Sequence, residues 1–401
     1  MKVSIFGSTG SIGVSTLDVI EHVNTEMEGE IEIDTLVAGN NCELIVEQAL
    51  KFRPANVVLR DETCLDQLRS ALSSEGITCA VGESAVLEAA VRPVDKVMAA
   101  ISGTSGLLPT WKTVEAGIDI LLANKEAMVC AGPLLKDLAR KSGASIIPVD
   151  SEHNAIFQCL EEGNGIREVV LTASGGPFLK ASIEEMAAAT PAKALAHPNW
   201  AMGAKNSLDS ATMMNKGLEL IEAVYLFEIE QSFIDVVVHP QSIIHSMVSY
   251  ADGSCIAQLG VPDMKTPIAY ALSAPSRYPT SVKTLSLVEL GQLDFMAPDR
   301  DRFPAIDLAR RAADAGMAGT SVYNAANEFA GYAFLQNRCG FLEIAEIVEF
   351  CLNQALDTVI AEMPHTISTI DDVLQITDLV STWVDQRLGF TNGKRSHVAG
   401  R

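Results

Sequence analysis

Over the first ~150 residues, short runs of Val, Ile and Leu alternate with stretches of helical periodicity, the pattern of βαβ units on a parallel sheet. The runs Val3–Phe6, Ile31–Ala38, Asn56–Leu59, Lys96–Ala100, Ile118–Ala123 and Ser145–Val149 predict strands, each feeding a helix. From Asp150 the texture changes. Ile166–Thr172, Phe233–Val238, Ile244–Tyr250 and Cys255–Leu259 read as strands interrupted by helices, and the last three lie close enough in sequence for an antiparallel meander. That predicts an α+β domain laid against the first. A Pro/Ser-rich stretch near Ala274–Thr280 and an irregular segment, Asp294–Arg302, read as a linker. Phe303 to about Arg387 is helical in period, with Pro304 acceptable in a first turn, and predicts a small bundle. The polar tail Gly393–Arg401 is expected to be disordered. The expected division is 1–149, 150–273, a linker 274–302, 303–390 and a tail 391–401. The fold class is thus α/β and α+β: a Rossmann-like parallel-sheet domain, a central α+β domain and a C-terminal helical bundle.

A length of 401 residues supports this division, being too great for one compact core. With 48% hydrophobic but only 5% aromatic residues, the core should be mostly aliphatic. Charge narrows the partners. Against 51 acidic residues stand 29 Lys and Arg, a formal net charge of −22. Nucleic acid and anionic membrane surfaces both need basic footprints, so neither is an expected partner. Any anionic substrate must instead find local positive charge, from a metal and a few placed lysines. The eight cysteines, at 42, 64, 79, 130, 159, 255, 339 and 351, form no CxxC or zinc-like spacing and are expected to be reduced and interior. The chain starts directly into a strand, Lys2–Phe6, with no signal-like, transit-like or bilayer-spanning segment, so a cytoplasmic location is expected.

Three motifs bear on chemistry. Gly7-Ser8-Thr9-Gly10-Ser11-Ile12-Gly13 follows the first strand and opens a helix, Val14–His22. Glycines there let the backbone turn tightly and approach a pyrophosphate resting on the helix N-terminus. The spacing is GxxGxxG rather than GxGxxG, but its place at the head of a βαβ run points to dinucleotide binding. The second strand ends in Ala38-Gly39-Asn40-Asn41, with no carboxylate to hold a ribose 2′-hydroxyl, which tilts the reading toward NADP. Ala123-Asn124-Lys125-Glu126 ends another strand, where ligands gather on a parallel sheet; a helix cap with a solvated Lys–Glu pair is the plainer alternative.

The third signal is acidic. Asp150-Ser151-Glu152 follows an apolar β-run, and Asn215, Lys216 and Glu219 fall on neighbouring rows of one helix face. If Asp150, Glu152 and Glu219 converge, their oxygens suit a hard divalent cation such as Mg or Mn. The adjacent Lys, Asn, Ser and His suit a phosphate. His153 and His245 are candidates for proton transfer, though a satisfied structural histidine is the better expectation for each.

GSTGSIG, ANKE, VDSEHNA, TASGGPF, HPNWAMG and DSATMMNKGLE occur together and in this order. The set closely resembles the 1-deoxy-D-xylulose 5-phosphate reductoisomerase family, whose reaction yields 2-C-methyl-D-erythritol 4-phosphate in isoprenoid biosynthesis. The resemblance spans essentially the whole chain. It implies an NADPH-binding domain, a catalytic domain with a flexible lid, a helical C-terminal domain and a homodimer. It further implies Asp150, Glu152 and Glu219 as ligands of a divalent cation (Mg, Mn or Co). Lys125, Ser151, Glu152, Ser174, His197, Trp200, Met202, Ser210, Asn215, Lys216 and Glu219 are implied around the phosphorylated substrate. Thr9, Gly10, Ser11, Ile12, Gly39, Asn40, Asn41, Asn124, Glu126 and Gly203 are implied along NADPH. The catalytic set would be Lys125, Asp150, Glu152 and Glu219, with HPNWAMG as the lid.

One departure stands out: many members of that family carry Lys or Arg where this chain has Asn40, a cation that would meet the 2′-phosphate. Two rival readings remain open on the residues alone. One is an NADP-dependent dehydrogenase of another phosphorylated hydroxy or keto compound, without skeletal rearrangement, which would not need three converging carboxylates. The other is a metal-dependent aldolase or isomerase that consumes no NADPH.

Overall fold

A computed structural model describes residues 1–161, 163–197, 202–359 and 367–389. Seven parallel strands form the first sheet: β1 (Lys2–Phe6), β2 (Glu32–Ala38), β3 (Asn56–Leu59), β4 (Thr78–Val81), β5 (Lys96–Ala99), β6 (Asp119–Leu122) and β7 (Ile146–Pro148). Their order is β4-β3-β2-β1-β5-β6-β7. The chain winds outward to one side from β1, then returns to the other edge through β5. The reversal between β1 and β5 opens the crevice where such sheets hold ligands. Val3, Ile5, Leu36, Val57, Leu59, Met98 and Leu121 are essentially inaccessible, as strands covered on both faces require. β4 was not among the predicted strands. It is a four-residue edge strand, Thr-Cys-Ala-Val, whose side chains are half-buried or exposed, so it carries no apolar run.

The second sheet has four strands, β8 (Ile166–Ala173), β9 (Ile234–Val238), β10 (Ile244–Tyr250) and β11 (Cys255–Leu259), in the order β11-β10-β8-β9. β10 is antiparallel to both β11 and β8, whereas β9 runs parallel to β8. The expected meander of the last three strands is therefore wrong at its first step: β8 lies between β9 and β10. Strand β8, with Val169, Leu171 and Ala173 buried, takes the interior place. The chain leaving β9 must then pass over its end, and His239 N donates to Ala173 O at 2.7 Å as it does so. That crossing carries Ser242 and His245 to the C-terminal end of β8, beside Ser174.

The helix Met214–Phe227 packs on the second sheet and against helices Ala305–Asp314 and Gly316–Leu335, sharing with them one apolar cluster that includes Leu218, Ile221, Leu308, Val322 and Phe334. Gly217 makes the approach possible, since a Cβ there would sit 2.0 Å from Tyr323 Oη. The segment read as a linker is tied down: Val238 and Met296 exchange backbone hydrogen bonds of 2.8 and 2.9 Å, and Phe295 stacks on His239. The helix Lys265–Ser273 returns to the first sheet, where Lys96 Nζ donates to Leu272 O at 2.7 Å.

All eight cysteines are free thiols, and Cys255, on the edge strand β11, is exposed, contrary to an all-interior expectation. No helix among the described residues is long and apolar enough to cross a membrane. The tail 391–401 lies outside the described residues, as do Pro198, Asn199, Trp200 and Ala201 of the expected lid.

Candidate functional site

One cavity of about 390 Å³ opens where the two sheets face each other. The Gly7–Gly13 turn forms one wall. Gly7 has φ +89°, and a Cβ on it would lie 2.4 Å from Ala100 O; a Cβ on Gly13 would lie 2.3 Å from Gly7 O. The outer glycines are thus demanded by packing, whereas Gly10 is exposed and only lightly hemmed. Helix Ser11–Glu26 starts at Gly10 with no side-chain cap, leaving its first N–H groups available to an anion. Ser11 and Ile12 line the cavity; Thr9, Gly10, Gly39, Asn40 and Asn41 lie in the turns that follow β1 and β2 and are not among its lining residues. Asn124 is buried: its amide donates to Gly103 O at 2.9 Å and its carbonyl caps the helix Lys125–Ser142, accepting from Ala127 N. Gly203 is exposed at the head of helix Ala204–Ala211.

The opposite wall is acidic. Asp150 caps helix Ser151–Cys159, accepting from Ser151 N at 3.0 Å, which fixes its carboxylate at the end of β7. Glu152 follows in the first turn, and Glu219 comes from helix Met214–Phe227. One oxygen of each of the three carboxylates lies within 4.8 Å of the others. Two lysines enter the cage. Lys125 Nζ is 2.5 Å from Asp150 Oδ2 and 3.5 Å from Glu219 Oε1, and donates to Asn215 Oδ1 at 2.7 Å. Lys216 Nζ is 2.8 Å from Glu152 Oε1 and also pairs with Glu219. Ser151 Oγ donates to Glu152.

Burial and crowding set the charge states. Burial and the neighbouring Glu152 push the Glu219 carboxyl up to about 8. Burial opposes ionisation of Asp150 too, but Lys125 overrides it and holds Asp150 at about 2. Lys125 and Lys216 are disfavoured by burial yet raised by the carboxylates around them. Behind the cage His153 is wholly buried, with Nε2 2.9 Å from Glu219 O and Nδ1 3.2 Å from Glu222 Oε2. Burial holds it at about 4, a neutral imidazole bracing the two helices that carry the carboxylates.

A third group faces the cleft from β8 and helix Ala204–Ala211. Gly176, at φ +65°, lets its loop close on the helix: a Cβ would lie 2.6 Å from Ser210 O. This brings Ser174 and Ser210 to the same cavity, with Ser174 Oγ 3.0 Å from His197 Nε2. Met202, Asn215 and Lys216 complete that end. Glu219 is wholly buried.

Several predicted residues do not line the cavity: Thr9, Gly10, Gly39, Asn40, Asn41, Asn124, Gly203 and the buried Glu219 lie outside its lining, Glu126 pairs with Lys205, 3.0 Å from its ammonium, and Trp200 falls outside the described residues. Sequence reading passed over Asn206 and Ser242, and left His245 as a structural histidine; all three line the cavity. Asn206 was legible, lying four residues before Ser210 on one helix face. Ser242 gave no signal, because its place depends on the strand crossing.

The donor set fits a hard divalent cation. Three carboxylates crowded enough to hold one of them neutral up to about 8 form a site whose repulsion a dication relieves. The open turn beside Ser11 and Ile12 fits a dinucleotide phosphate.

Comparison with known proteins agrees along the chain. Models of the 1-deoxy-D-xylulose 5-phosphate reductoisomerase family match residues 3–132, 146–227 (its C-terminal domain) and 259–382 (DXP reductoisomerase C-terminal domain). A 1-deoxy-D-xylulose 5-phosphate reductoisomerase of Caulobacter vibrioides is 52% identical over 349 residues, 86% of each chain. One from Rhodospirillum centenum is 49% identical over 375 residues, covering 93% of this chain and 90% of its own. A crystal structure of DOX-P reductoisomerase in complex with NADPH, fosmidomycin and magnesium superposes with a TM-score of 0.91 at 41% identity, over 97% of this chain and 98% of that one. The Zymomonas mobilis enzyme in complex with NADPH gives 0.87 at 43%, over 96% and 98%. Identity of this extent, over a fold whose cleft gathers the carboxylates, lysines and glycine turn, places the chain in the 1-deoxy-D-xylulose 5-phosphate reductoisomerase family.

Proposed function

We propose that the chain rearranges and reduces 1-deoxy-D-xylulose 5-phosphate to 2-C-methyl-D-erythritol 4-phosphate, with NADPH as hydride donor and a divalent cation, Mg, Mn or Co, as Lewis acid. The carrying observation is the convergence of Asp150, Glu152 and Glu219, two of which, Asp150 and Glu152, line the same cavity as Ser11 and Ile12 of the glycine turn. A bound cation would polarise the keto sugar's carbonyl and adjacent hydroxyl together, and oxygen ligands from three side chains leave it open positions for both.

The rest of the site positions and screens. Lys125, held as an ammonium by the carboxylates around it, sits where the sugar oxygens would lie and can neutralise charge developing on them. Ser174, Ser210, Asn215, Lys216 and His197 supply donors at the far end of the cavity, suited to a phosphate that serves as a handle and orients the reacting carbons. Asn206 and Ser242 add two further polar side chains there. Thr9 through Ile12, Gly39 to Asn41 and Asn124 would hold the dinucleotide, which would supply the hydride; of these, Ser11 and Ile12 line the same cavity as Lys125. The family resemblance carries over HPNWAMG as a lid over the substrate that would exclude water. Assembly as a homodimer is carried over from the family resemblance.

The test is NADPH oxidation with 1-deoxy-D-xylulose 5-phosphate, with EDTA and again with added Mn or Mg. Turnover that requires metal supports the proposal. No turnover with metal present rejects it, and turnover that survives chelation favours a simple dehydrogenase.

A further inference from the structure

Four separate elements are joined through one buried cluster of charged and polar side chains. Lys205, second residue of helix Ala204–Ala211, places Nζ 3.0 Å from Glu126 Oε1 and 2.6 Å from Asp209 Oδ2. Asp209 accepts from Asn327 Nδ2 at 2.9 Å on its other oxygen. Next to Asn327, Glu328 accepts from both the N–H and the hydroxyl of Thr104, at 3.2 and 2.7 Å. Side-chain exposure is 13% for Lys205 and 5% for both Glu126 and Asp209. This set lies outside the carboxylate cage, and no step proposed above uses it.

Three members are chain neighbours of working residues. Glu126 adjoins Lys125, Lys205 adjoins Asn206, and Asp209 adjoins Ser210; the second of each pair lines the cavity. Successive helix residues point about 100° apart, so a residue turned into the hub turns its neighbour toward the cleft. The far strut, Thr104, belongs to the loop after β5. That loop packs on the dinucleotide turn, where Gly7 has no room for a Cβ beneath Ala100 O, and Asn124 ties Gly103 to the same helix as Glu126. A buried ion cluster is seldom a net gain in stability over apolar packing. Its placement here gives it another use.

We infer that Lys205 is a positioning residue: it locks the phosphate-binding face of helix Ala204–Ala211 to Lys125 and, through helix Gly316–Leu335, to segment 101–104 beside the glycine turn, so that NADPH and sugar phosphate tighten each other's binding. The inference rests on the proposed function and concerns the same site. Coupling of this kind is reciprocal and typically amounts to about 5–150-fold in affinity.

The test uses the whole enzyme. Affinity for 1-deoxy-D-xylulose 5-phosphate is measured by calorimetry in EDTA, which blocks turnover, with and without saturating NADPH; kcat and KM are then measured with Mn. Wild type should bind the sugar phosphate at least about fivefold tighter when NADPH is present. Lys205→Met should reduce that factor below about twofold. It should also raise KM about tenfold, with kcat within about threefold, because a misplaced phosphate handle weakens ground and transition states alike. Lys205→Arg, which keeps the charge, should recover at least half of the coupling. Should Lys205→Met fail to fold, Thr104→Val removes one strut while keeping the backbone N–H bond, and should still reduce the coupling measurably. Wild-type coupling and KM in Lys205→Met, or in its absence unchanged coupling in Thr104→Val, overturn the inference. So does a fall in kcat alone, which would mean only less folded enzyme. A wild type that turns over without any coupling also sinks the inference and leaves the proposed function standing. A wild type that does not turn over at all rejects the proposed function instead.

Discussion

Glu219→Gln isolates the contribution of the deepest carboxylate. The substitution is nearly isosteric at a side chain with no solvent exposure, and the amide oxygen can still accept from Lys125 or Asn215. A unit charge about 4 Å from a carboxylate contributes about 4 kcal/mol at an effective dielectric near 20, and a dication doubles that to about 8. Crowding by Asp150 and Glu152, which helps push Glu219 up to about 8, offsets roughly half of the gain. The remaining ~4 kcal/mol corresponds to about a thousandfold weaker metal binding. In the metal-free protein a neutral side chain relieves the same crowding, so thermal stability should not fall. NADPH affinity should stay within about threefold, since the glycine turn touches neither group. Mn binding by electron paramagnetic resonance, thermal melts in EDTA and NADPH titration read the three quantities separately. A Mn affinity within tenfold of wild type, or loss of NADPH binding in parallel, would refute the reasoning.

Three further outcomes are expected elsewhere. Asn40→Lys, in the exposed turn after β2, should increase the preference for NADPH over NADH about tenfold by placing a cation where the 2′-phosphate would lie, read as the ratio of kcat/KM for the two cofactors; an unchanged ratio would mean that Asn40 does not face it. Gly13→Ala should abolish NADPH binding and destabilise the first domain by more than about 3 kcal/mol, because its methyl would lie 2.4 Å from Ser8 Cα; a variant with native melting would count against the turn geometry. Asp34, buried between Lys2 and Arg92, works through pH: burial opposes its charge, but hydrogen bonds from Arg92 and Lys2 hold its carboxyl well below the usual value of 3.8. A lowered folded-state pKa gives stability that is present above pH ~4 and lost as pH falls through the folded value. Asp34→Asn should therefore cost about 2 kcal/mol at pH 7 by urea denaturation, a gap that narrows below pH 4; a gap that widens there would reverse the sign.

How much of this was legible beforehand depended on whether the information lay within one stretch of chain. The glycine turn, Asp150 at the end of β7 and the Asn215-Lys216-Glu219 face are local patterns, and the fold displays them where periodicity put them. β4 was missed because an edge strand needs no apolar run. The second sheet was mis-ordered because strand adjacency is settled by burial: β8 is the strand whose apolar side chains fill the middle, and no turn signal encodes that. Ser242 depended on the same crossing. Glu126 shows what a motif leaves open. Its motif was recognised, but a motif cannot say which of two neighbouring side chains faces the cleft, and the partner that decides it, Lys205, lies 79 positions away.

The acidic chain and its anionic substrate are reconciled in the cage itself. Asp150, Glu152 and Glu219 pair with Lys125 and Lys216, so with all five ionised, above the Glu219 value of about 8, the site carries one excess negative charge and repels a phosphate, and below it a protonated Glu219 leaves the five neutral overall. The same five residues around a dication carry one excess positive charge. The cavity's sign, set against a formal −22 for the whole chain, is thus decided by metal occupancy. Substrate affinity should then depend on metal beyond the two oxygens that would be chelated. Inorganic phosphate, which has no such oxygens, isolates this term: its inhibition constant should worsen several-fold when Mn is removed, and the difference should shrink as salt rises from about 0.05 to 0.5 M and the Debye length falls from about 14 to 4 Å. Asp150→Asn separates charge from coordination. It removes one negative charge without adding a metal, so phosphate should bind this variant in EDTA more tightly than it binds wild type in EDTA. If phosphate binds both metal-free proteins equally, local charge does not govern entry to the cleft.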